Sequence, residues 1–415
     1  MPIITDLKGR IIFNSRGSKT IEVDVISDDK FLGRACAPSG ASVGKHEAIS
    51  FKENCPEKSL EEFNKNLSKF IGIESHDPRS VYYILKNIDK SENYSKIGGS
   101  VAYALSLASI ESASKALDVP IFRLLKPSGD YKFPYPIGNI LGGGSHAGPG
   151  TPDIQEYLIC PIGATNIIEA IEINFKVHKQ LKTILEKQDN KFTYGRGDEG
   201  AWAPNLNNDQ ALEMVEKAVL ESGYNSENEV AIGIDFASSS FWNEKNNQYD
   251  YARQDVVRYP DEQIDFVNDL IGKYHLIYVE DPVHEEDFQG MSIINKNNRE
   301  CLVTGDDMLV TNKNRVKESL KYKSCSGAIL KINQAGSLYD ALEFADECNK
   351  NGIKLITSHR SGESIDSHIA EIAVATSSKL LKTGVIGGER VAKLNQLVRL
   401  LEYDLIKGMS DVFTS

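Results

Sequence analysis

The feature that most constrains the fold lies in the second half of the chain, where six short apolar runs each end on charged residues. These runs occupy residues 231–235, 276–280, 302–306, 328–331, 355–360 and 380–382. The first charged residues at their ends follow one another at intervals of 45, 26, 25, 28 and 23 residues, and most of these intervals suit one strand followed by one helix. Short apolar runs between helical stretches are typical of buried parallel strands. The pattern therefore predicts a barrel of alternating β-strands and α-helices.

The charged ends of these six runs are expected to meet at one pocket, because every strand of such a barrel ends at a rim that faces the same site. They are three carboxylates, two lysines and a histidine–arginine pair: Asp235, Glu280, Asp306, Lys331, Lys382, His359 and Arg360. Taken singly, each carboxylate fits a solvated loop acid or a helix cap. Three carboxylates at successive strand ends favour a metal site instead. The whole set is typical of a metal enzyme that acts on an anion.

Residues 1–130 are predicted to form a separate α+β domain that caps the barrel. An alternating run at 21–26 can pair with residues 31–37, and helical patterns follow at 59–71, at 78–88 and from Gly99 to residue 116. Turn-forming residues cluster between 126 and 136, so the TIM-type α/β barrel is assigned to residues 131–415. Helices of the barrel are predicted at 166–187, 209–222, 261–274, 312–321, 337–351, 367–376 and 389–403.

Charge and cysteine content exclude several classes of protein. The net charge of −12 argues against nucleic acid as the main partner, because phosphate backbones select basic surfaces. The six cysteines have no paired spacing, which predicts reduced and mostly buried thiols of a cytosolic protein. Asp6 and Lys8 stand where a signal peptide needs an apolar core, and no apolar run is long enough to predict a membrane span.

Two glycine-rich segments resemble phosphate-binding loops without meeting their requirements. Residues 195–200 match G-x-G-x-x-G, but Pro204 follows where a helix must begin, and the acids Asp198 and Glu199 would repel a pyrophosphate. Residues 40–46 have one residue too few between the glycines and a histidine where Ser or Thr is required. Neither segment predicts a nucleotide site.

Nine other segments, taken together and in order, resemble the enolase family. They lie at 38–44, 143–147, 155–156, 197–204, 280–282, 305–307, 331–334, 358–363 and 382–384. The resemblance extends from about Gly9 to Glu402, and the segment Gly387-Gly-Glu-Arg390 looks more like the archaeal branch. It implies an enolase-variant barrel with an N-terminal capping domain. It also implies phosphopyruvate hydratase activity, the reversible dehydration of 2-phospho-D-glycerate to phosphoenolpyruvate in glycolysis and gluconeogenesis.

The resemblance implies two Mg²⁺ ions in each active site. Asp235, Glu280 and Asp306 resemble the three family ligands of the first ion, and hard carboxylate oxygens suit Mg²⁺. Ser42 resembles the mobile-loop serine that helps to hold the second ion once substrate is bound.

Two further residues resemble the proton-transfer groups of the family. Lys331 resembles the general base, which needs a pKa near ~7–8 rather than ~10.4, and we expect Mg²⁺ and Lys382 to lower it. Glu199 resembles the general acid, which needs a raised pKa to carry a proton at neutral pH. We expect the second carboxylate of Glu156 to raise the pKa of Glu199.

The remaining resemblances concern the substrate. Lys382 resembles the residue that pairs with the substrate carboxylate, and Arg360 and Ser361 resemble the phosphate-binding pair. Gln155 resembles a substrate-contacting amide. His146 and His359 resemble active-site histidines that hydrogen-bond the substrate and the closing loops. Of the two, His359 is predicted to be a catalytic residue and His146 a substrate-binding residue.

The resemblance also implies assembly and location. Arg10, Glu22, Arg399 and Glu402 match residues that form ion pairs between subunits in the family, so we expect a homodimer, or an octamer as in some relatives. A cytoplasmic location is expected, and the family also has cell-surface or secreted pools.

Two alternatives stay open at this point. One is a relative in the wider superfamily that acts on another carboxylate, against which Arg360, Ser361 and Lys382 argue. The other is a catalytically silent homologue with a structural or surface-binding role. Such a protein could lose Lys331 or Glu199, and this chain has both.

Overall fold

The computed structural model describes residues 1–41 and 44–412. The N-terminal part contains an antiparallel sheet of β1 (Ile4–Phe13), β2 (Lys19–Ser27) and β3 (Phe31–Cys36) in that order. The predicted pairing of the second and third strands is confirmed, with Ser27 opposite Phe31 at the turn. The sequence analysis did not predict β1, because only Ile4 and Leu7 of this strand are fully buried and no period-two alternation results.

Four helices follow in the capping part: α1 (Pro56–Asn66), α2 (Pro78–Ile88), α3 (Gly99–Leu117) and α4 (Ile121–Leu125). The first three were predicted, and the short α4 was not. Helix α3 packs closely on the sheet, since a Cβ atom at Gly33 of β3 would lie only 1.9 Å from the carbonyl oxygen of Ala108. Only glycine fits this contact between the backbones of helix and strand.

The rest of the chain is built around a closed barrel of eight strands. The strands of this part are β4 (Tyr131–Phe133), β5 (Tyr135–Gly142), β6 (Glu156–Cys160), β7 (Ala231–Asp235), β8 (Trp242–Asn243), β9 (Gln248–Tyr251), β10 (Val256–Arg258), β11 (Tyr278–Glu280), β12 (Leu302–Gly305), β13 (Gly327–Leu330), β14 (Lys354–Ser358), β15 (Leu380–Lys382) and β16 (Ile406–Met409). The barrel has the order β5-β6-β7-β11-β12-β13-β14-β15 and closes back on β5.

The six apolar runs form β7 and β11 to β15, and their predicted parallel pairing is confirmed. Strand β6 differs, because it runs antiparallel to both β5 and β7. The apolar period of a strand does not reveal its direction, so the sequence pattern could not predict this reversal.

Nine helices of the described residues surround or connect the barrel strands: α5 (Ile167–Gln188), α6 (Asn208–Glu221), α7 (Pro260–Tyr274), α8 (Phe288–Asn297), α9 (Lys313–Tyr322), α10 (Ile332–Ala335), α11 (Leu338–Lys350), α12 (His368–Ala375) and α13 (Gly388–Arg399). Seven of them were predicted, and α8 and α10 were not. Helix α8 has ten residues and contains Gly290, which weakens its helical signal.

The capping part lies over the rim at which the six runs end. Ser39 and Gly362 exchange two backbone hydrogen bonds of 2.8 Å, and Ala48 N donates to Gln334 O at 2.8 Å.

All six cysteines lie in the described ranges and are free, and all except Cys55 are buried. Within residues 1–41 and 44–412, no helix is both long and apolar enough to cross a membrane.

Candidate active site

The strand ends meet at one pocket beneath the capping part. Eleven of the predicted site residues line it: His146, Gln155, Glu156, Glu199, Asp235, Asp306, Lys331, His359, Arg360, Ser361 and Lys382. Glu280 is fully buried and contacts the pocket residue Lys382. Ser42 lies outside the described residues.

Lys382 lies among three carboxylates at the rim. Asp235 pairs in register with Glu156 on one side and Glu280 on the other, so the three acids stand side by side on neighbouring strands. Lys382 Nζ lies 2.8 Å from Asp235 Oδ2, 2.7 Å from Glu280 Oε2 and 3.1 Å from Glu156 Oε2. Burial lowers the pKa of Lys382, but these carboxylates, Asp235 foremost, outweigh it and raise the pKa well above its ordinary value. Lys382 therefore stays positively charged and can pair with a carboxylate of a ligand.

The acids near Lys382 fit a hard divalent cation. Burial and the charge of Asp235 raise the pKa of Glu280 well above its ordinary value. Burial and Asp306 raise the pKa of Asp307 to about 7. Glu280 Oε1 is buried and has no hydrogen-bond partner among the described residues. Crowded carboxylate oxygens of this kind are the ligands that Mg²⁺ prefers, and Asp235, Glu280 and Asp306 stay its predicted ligands.

A second acidic group consists of Asp281, Asp306 and Asp307, whose carboxylate oxygens lie within 4.8 Å of one another. Asp281 uses its two oxygens to accept hydrogen bonds from the backbone N–H groups of Asp306 (3.0 Å) and Asp307 (2.7 Å). Its φ of +40° is costly for a non-glycine residue. Asp281 therefore positions Asp306, a role that sequence reasoning missed although Asp281 stands in a segment that resembles the family.

Lys331 follows β13 directly and pairs with Asp306. Gln334, one helical turn later, donates from Nε2 to Asp306 Oδ1 at 2.9 Å. Burial lowers the pKa of Lys331, but the charge of Asp306 outweighs it and raises the pKa above its ordinary value. The lowering that was expected from Mg²⁺ and Lys382 stays a prediction for the metal-bound protein.

Glu156 and Glu199 lie on either side of His146, whose Nδ1 is 3.3 Å from Glu156 Oε1 and 3.7 Å from Glu199 Oε1. Burial and the charge of Glu199 raise the pKa of Glu156. Burial also acts to raise the pKa of Glu199, but His359 and His146 outweigh it and hold the pKa well below its ordinary value. His359 Nε2 lies 3.2 Å from Glu199 Oε1, and Asn139 donates to Glu199 Oε2 at 3.3 Å. The prediction of a raised pKa for Glu199 is therefore wrong, because these neighbours leave the raised pKa to Glu156.

Arg360 and Ser361 lie where the pocket meets the capping part. The Arg360 guanidinium donates to both carboxylate oxygens of Glu47, at 3.0 and 3.2 Å. Ser361 Oγ accepts from Ala41 N at 3.0 Å and lies 3.4 Å from His146 Nε2. A fixed charge on a planar fork suits a phosphate. Sequence reasoning missed Glu47, because a single acid in a loop carries no signal of its distant partner.

Two other side chains complete the surroundings of the pocket. Gln155 donates from Nε2 to Asp235 Oδ2 at 3.4 Å and accepts from Ser145 Oγ at 2.8 Å, so its amide has a fixed orientation. Arg390 of α13 is fully buried and donates to His359 Nδ1 at 2.8 Å. The sequence analysis noted Arg390 only within the archaeal-like segment, and that segment gave no hint of its contacts.

The arrangement combines a lysine beside a carboxylate, two buried carboxylates on either side of a histidine, and two fixed cations for anionic groups of a ligand. These groups can remove a proton next to a carboxylate and protonate a leaving hydroxyl.

Comparison with known proteins decides the family. The family model of the enolase C-terminal TIM barrel domain matches residues 130–409, and that of the enolase N-terminal domain matches residues 4–125. The chain belongs to the enolase family. The enolase of Methanosphaera stadtmanae is 41% identical over 412 residues, and that of Methanothermobacter thermautotrophicus is 40% identical over 412 residues, each covering 99% of both chains. The enolase of Pyrobaculum aerophilum is 38% identical over 406 residues, 96% of both chains. The predicted likeness to archaeal enolases is confirmed.

Proposed function

We propose that the protein is a phosphopyruvate hydratase, a lyase that interconverts 2-phospho-D-glycerate and phosphoenolpyruvate with water in glycolysis and gluconeogenesis. One observation carries the proposal: Lys331 and the Glu156–Glu199 pair line the same pocket as Arg360 and Lys382. A single pocket therefore holds two proton-transfer centres and two cations for the two anionic groups of this substrate. Full-length identity of about 40% to archaeal enolases supports the proposal.

Substrate orientation follows from the two fixed cations. Lys382 pairs with the substrate carboxylate, and Arg360 with Ser361 binds the phosphate. Gln155, His146 and His359 supply further hydrogen bonds. Because each anionic group meets its own cation, the α carbon is held in one orientation, which is how binding lowers the barrier of the later steps.

Metal dependence belongs to the same proposal. Asp235, Glu280 and Asp306 would hold one Mg²⁺, and Ser42 would help to hold a second once substrate is present. Bound Mg²⁺ would supply positive charge that stabilises the added negative charge of the substrate and would offset the acids, Asp306 among them, that raise the pKa of Lys331.

Two proton transfers are assigned to this chain's own side chains. Neutral Lys331 takes the α proton at Nζ, and the electron pair left on carbon is delocalised into the carboxylate that Lys382 faces. The second proton starts on Glu156, because the pKa of this acid is raised. His146 Nδ1 lies between Glu156 and Glu199 and passes the proton from one to the other. Glu199 then donates it to the departing hydroxyl, which leaves as water.

Assembly and location complete the proposal. We propose a homodimer or a higher oligomer, with residues 1–130 as the cap and residues 131–415 as the barrel. Arg10 pairs with Glu22 and Asp24 of its own chain, while Arg399 and Glu402 are exposed, so both can face a second subunit. A cytoplasmic location, with a cell-surface or secreted pool as a family variant, is also proposed. The alternative of a silent homologue has no observation in its favour.

The test is phosphoenolpyruvate formation from 2-phosphoglycerate, followed by ultraviolet absorbance. The protein should be active with Mg²⁺, lose activity in excess chelator and regain it when Mg²⁺ is restored. A folded protein without activity under all three conditions would rule out the proposal.

A further inference from the structure

Arg390 is a fully buried arginine beside the pocket that the proposed chemistry does not use. Its two terminal nitrogens make four hydrogen bonds. Nη1 donates to His359 Nδ1 (2.8 Å) and to Arg360 O (2.6 Å), and Nη2 donates to Ser361 O (2.6 Å) and Asp198 O (3.0 Å). Arg390 Nε makes no hydrogen bond with the described residues and lies 3.4 Å from Glu389 Oε1, so the two terminal nitrogens make the contacts that offset the cost of burying the guanidinium.

The bond to His359 decides which ring nitrogen carries the proton. An arginine can only donate, so His359 Nδ1 must accept and therefore has no hydrogen. The proton of the neutral ring is then on Nε2, which lies 3.2 Å from Glu199 Oε1. Burial also lowers the pKa of His359 to about 4, which favours the neutral ring. His359 Nε2 lies beside Glu199 but makes no hydrogen bond with the described residues, which leaves its N–H for a bound ligand.

The three carbonyl bonds connect two separate parts of the active site. Arg360 O and Ser361 O belong to the phosphate-binding segment, and Asp198 O belongs to the segment that carries Glu199. The loop before α13 packs directly on this second segment, because a Cβ atom at Gly384 would lie 2.7 Å from Glu199 O. One guanidinium therefore spans both segments.

We infer that Arg390 is a positioning residue of the proposed dehydration. It fixes His359 in the tautomer whose Nε2–H faces Glu199, and it joins the phosphate-binding segment to the segment of the general acid. This inference rests on the proposed function for its kinetic consequence but not for its structural one.

The first test uses the wild-type protein and needs no activity. In ¹⁵N NMR of the protein labelled at histidine, with the His359 signal assigned by its loss in His359→Gln, Nδ1 should appear unprotonated and Nε2 protonated near neutral pH. A proton on Nδ1, alone or in an imidazolium, would overturn the inference. A failure of the lyase assay would leave this result untouched, so the two proposals fail separately.

The second test is Arg390→Lys, which keeps the charge but replaces a planar fork of donors by a single ammonium. We expect kcat to fall by about 10- to 100-fold, as is usual when a catalytic group loses its orientation. KM should stay within about threefold of the wild-type value, because other contacts still hold the phosphate-binding segment at both ends. At one end His359 N donates to Lys382 O at 3.0 Å, and at the other Gly362 is bonded to Ser39.

The pH profile separates positioning from loss of folded protein. The positive charge of Arg390 is one of the causes that lower the pKa of His359, so Arg390→Gln should move the acid limb of kcat toward neutral pH. The matched control is Arg258→Lys, since Arg258 is half-buried against Tyr251 and Phe266 and lines no part of the pocket. Its kinetics should equal those of the wild type. An Arg390 variant whose kcat per folded molecule and pH profile equal those of the wild type would overturn the inference. If the Arg390 variants fail to fold, the NMR result for the wild-type protein decides.

Discussion

Replacing Glu47 by Gln removes the negative charge that faces the Arg360 guanidinium and keeps the shape of the side chain. The two side chains are only 4% and 5% exposed, so water screens the pair very little. Breaking a buried ion pair by removing one partner costs about 3–5 kcal/mol, because the remaining charge stays desolvated. We expect the free energy of unfolding of Glu47→Gln to fall by about this amount, measured by urea titration with tryptophan fluorescence and circular dichroism.

Glu57→Gln is the matched control for this change. Glu57 also belongs to the capping part and pairs with Lys19 at 2.6 Å, but the two side chains are 44% and 54% exposed. Water and salt screen such a pair, so the variant should unfold at nearly the same urea concentration as the wild type. The reasoning is refuted if Glu47→Gln unfolds like the wild type, or if the two variants are equally destabilised.

Three further predictions concern the metal, the pH dependence and the assembly. Added Mg²⁺ should raise the Tm of the wild type more than that of Glu280→Gln, because a ligand that binds only the folded state stabilises it; equal shifts would contradict the metal assignment. Burial acts to raise the pKa of Glu111, but its bonds with His368 and with the backbone N–H of Arg34 lower it from 4.5 to about 2. The charged form of Glu111 therefore stabilises the fold above pH 4.5, and this stabilisation is lost as the pH falls through about 2. Between these pH values, the urea midpoint should fall more steeply for the wild type than for Glu111→Gln. Parallel midpoints would show that Glu111 carries no such coupling. Sedimentation equilibrium should give a mass at least twice that of one chain, and a single species with the mass of one chain would exclude the proposed dimer.

The sequence could predict the barrel and most positions of the site because strand ends are local features. An apolar run that stops on Asp235 or Lys382 places that residue at a rim, whatever the rest of the chain does. Spacing between the runs then predicts the helices that connect them. The family resemblance added Glu199 and Gln155, which lie outside the runs and which no periodic pattern marks.

Protonation could not be predicted in the same way, because it depends on contacts between distant segments. The low pKa of Glu199 comes from His359 and His146, and His359, which follows β14, accepts a hydrogen bond from Arg390 of α13. The pairing of Glu47 with Arg360 likewise joins positions 313 residues apart. Sequence reasoning placed two carboxylates together correctly but had no means of deciding which one holds the proton.

The division of the two proton transfers between Lys331 and Glu199 is tested most directly by exchange of the α proton of 2-phosphoglycerate with deuterated water, followed by NMR. In Glu199→Gln, exchange should continue while phosphoenolpyruvate formation falls by about 10²- to 10⁴-fold, because the base is intact and only the acid is missing. In Lys331→Ala, exchange should disappear although substrate still binds, as calorimetry would show. Exchange that persists in Lys331→Ala, or that is lost in Glu199→Gln, would contradict the mechanism.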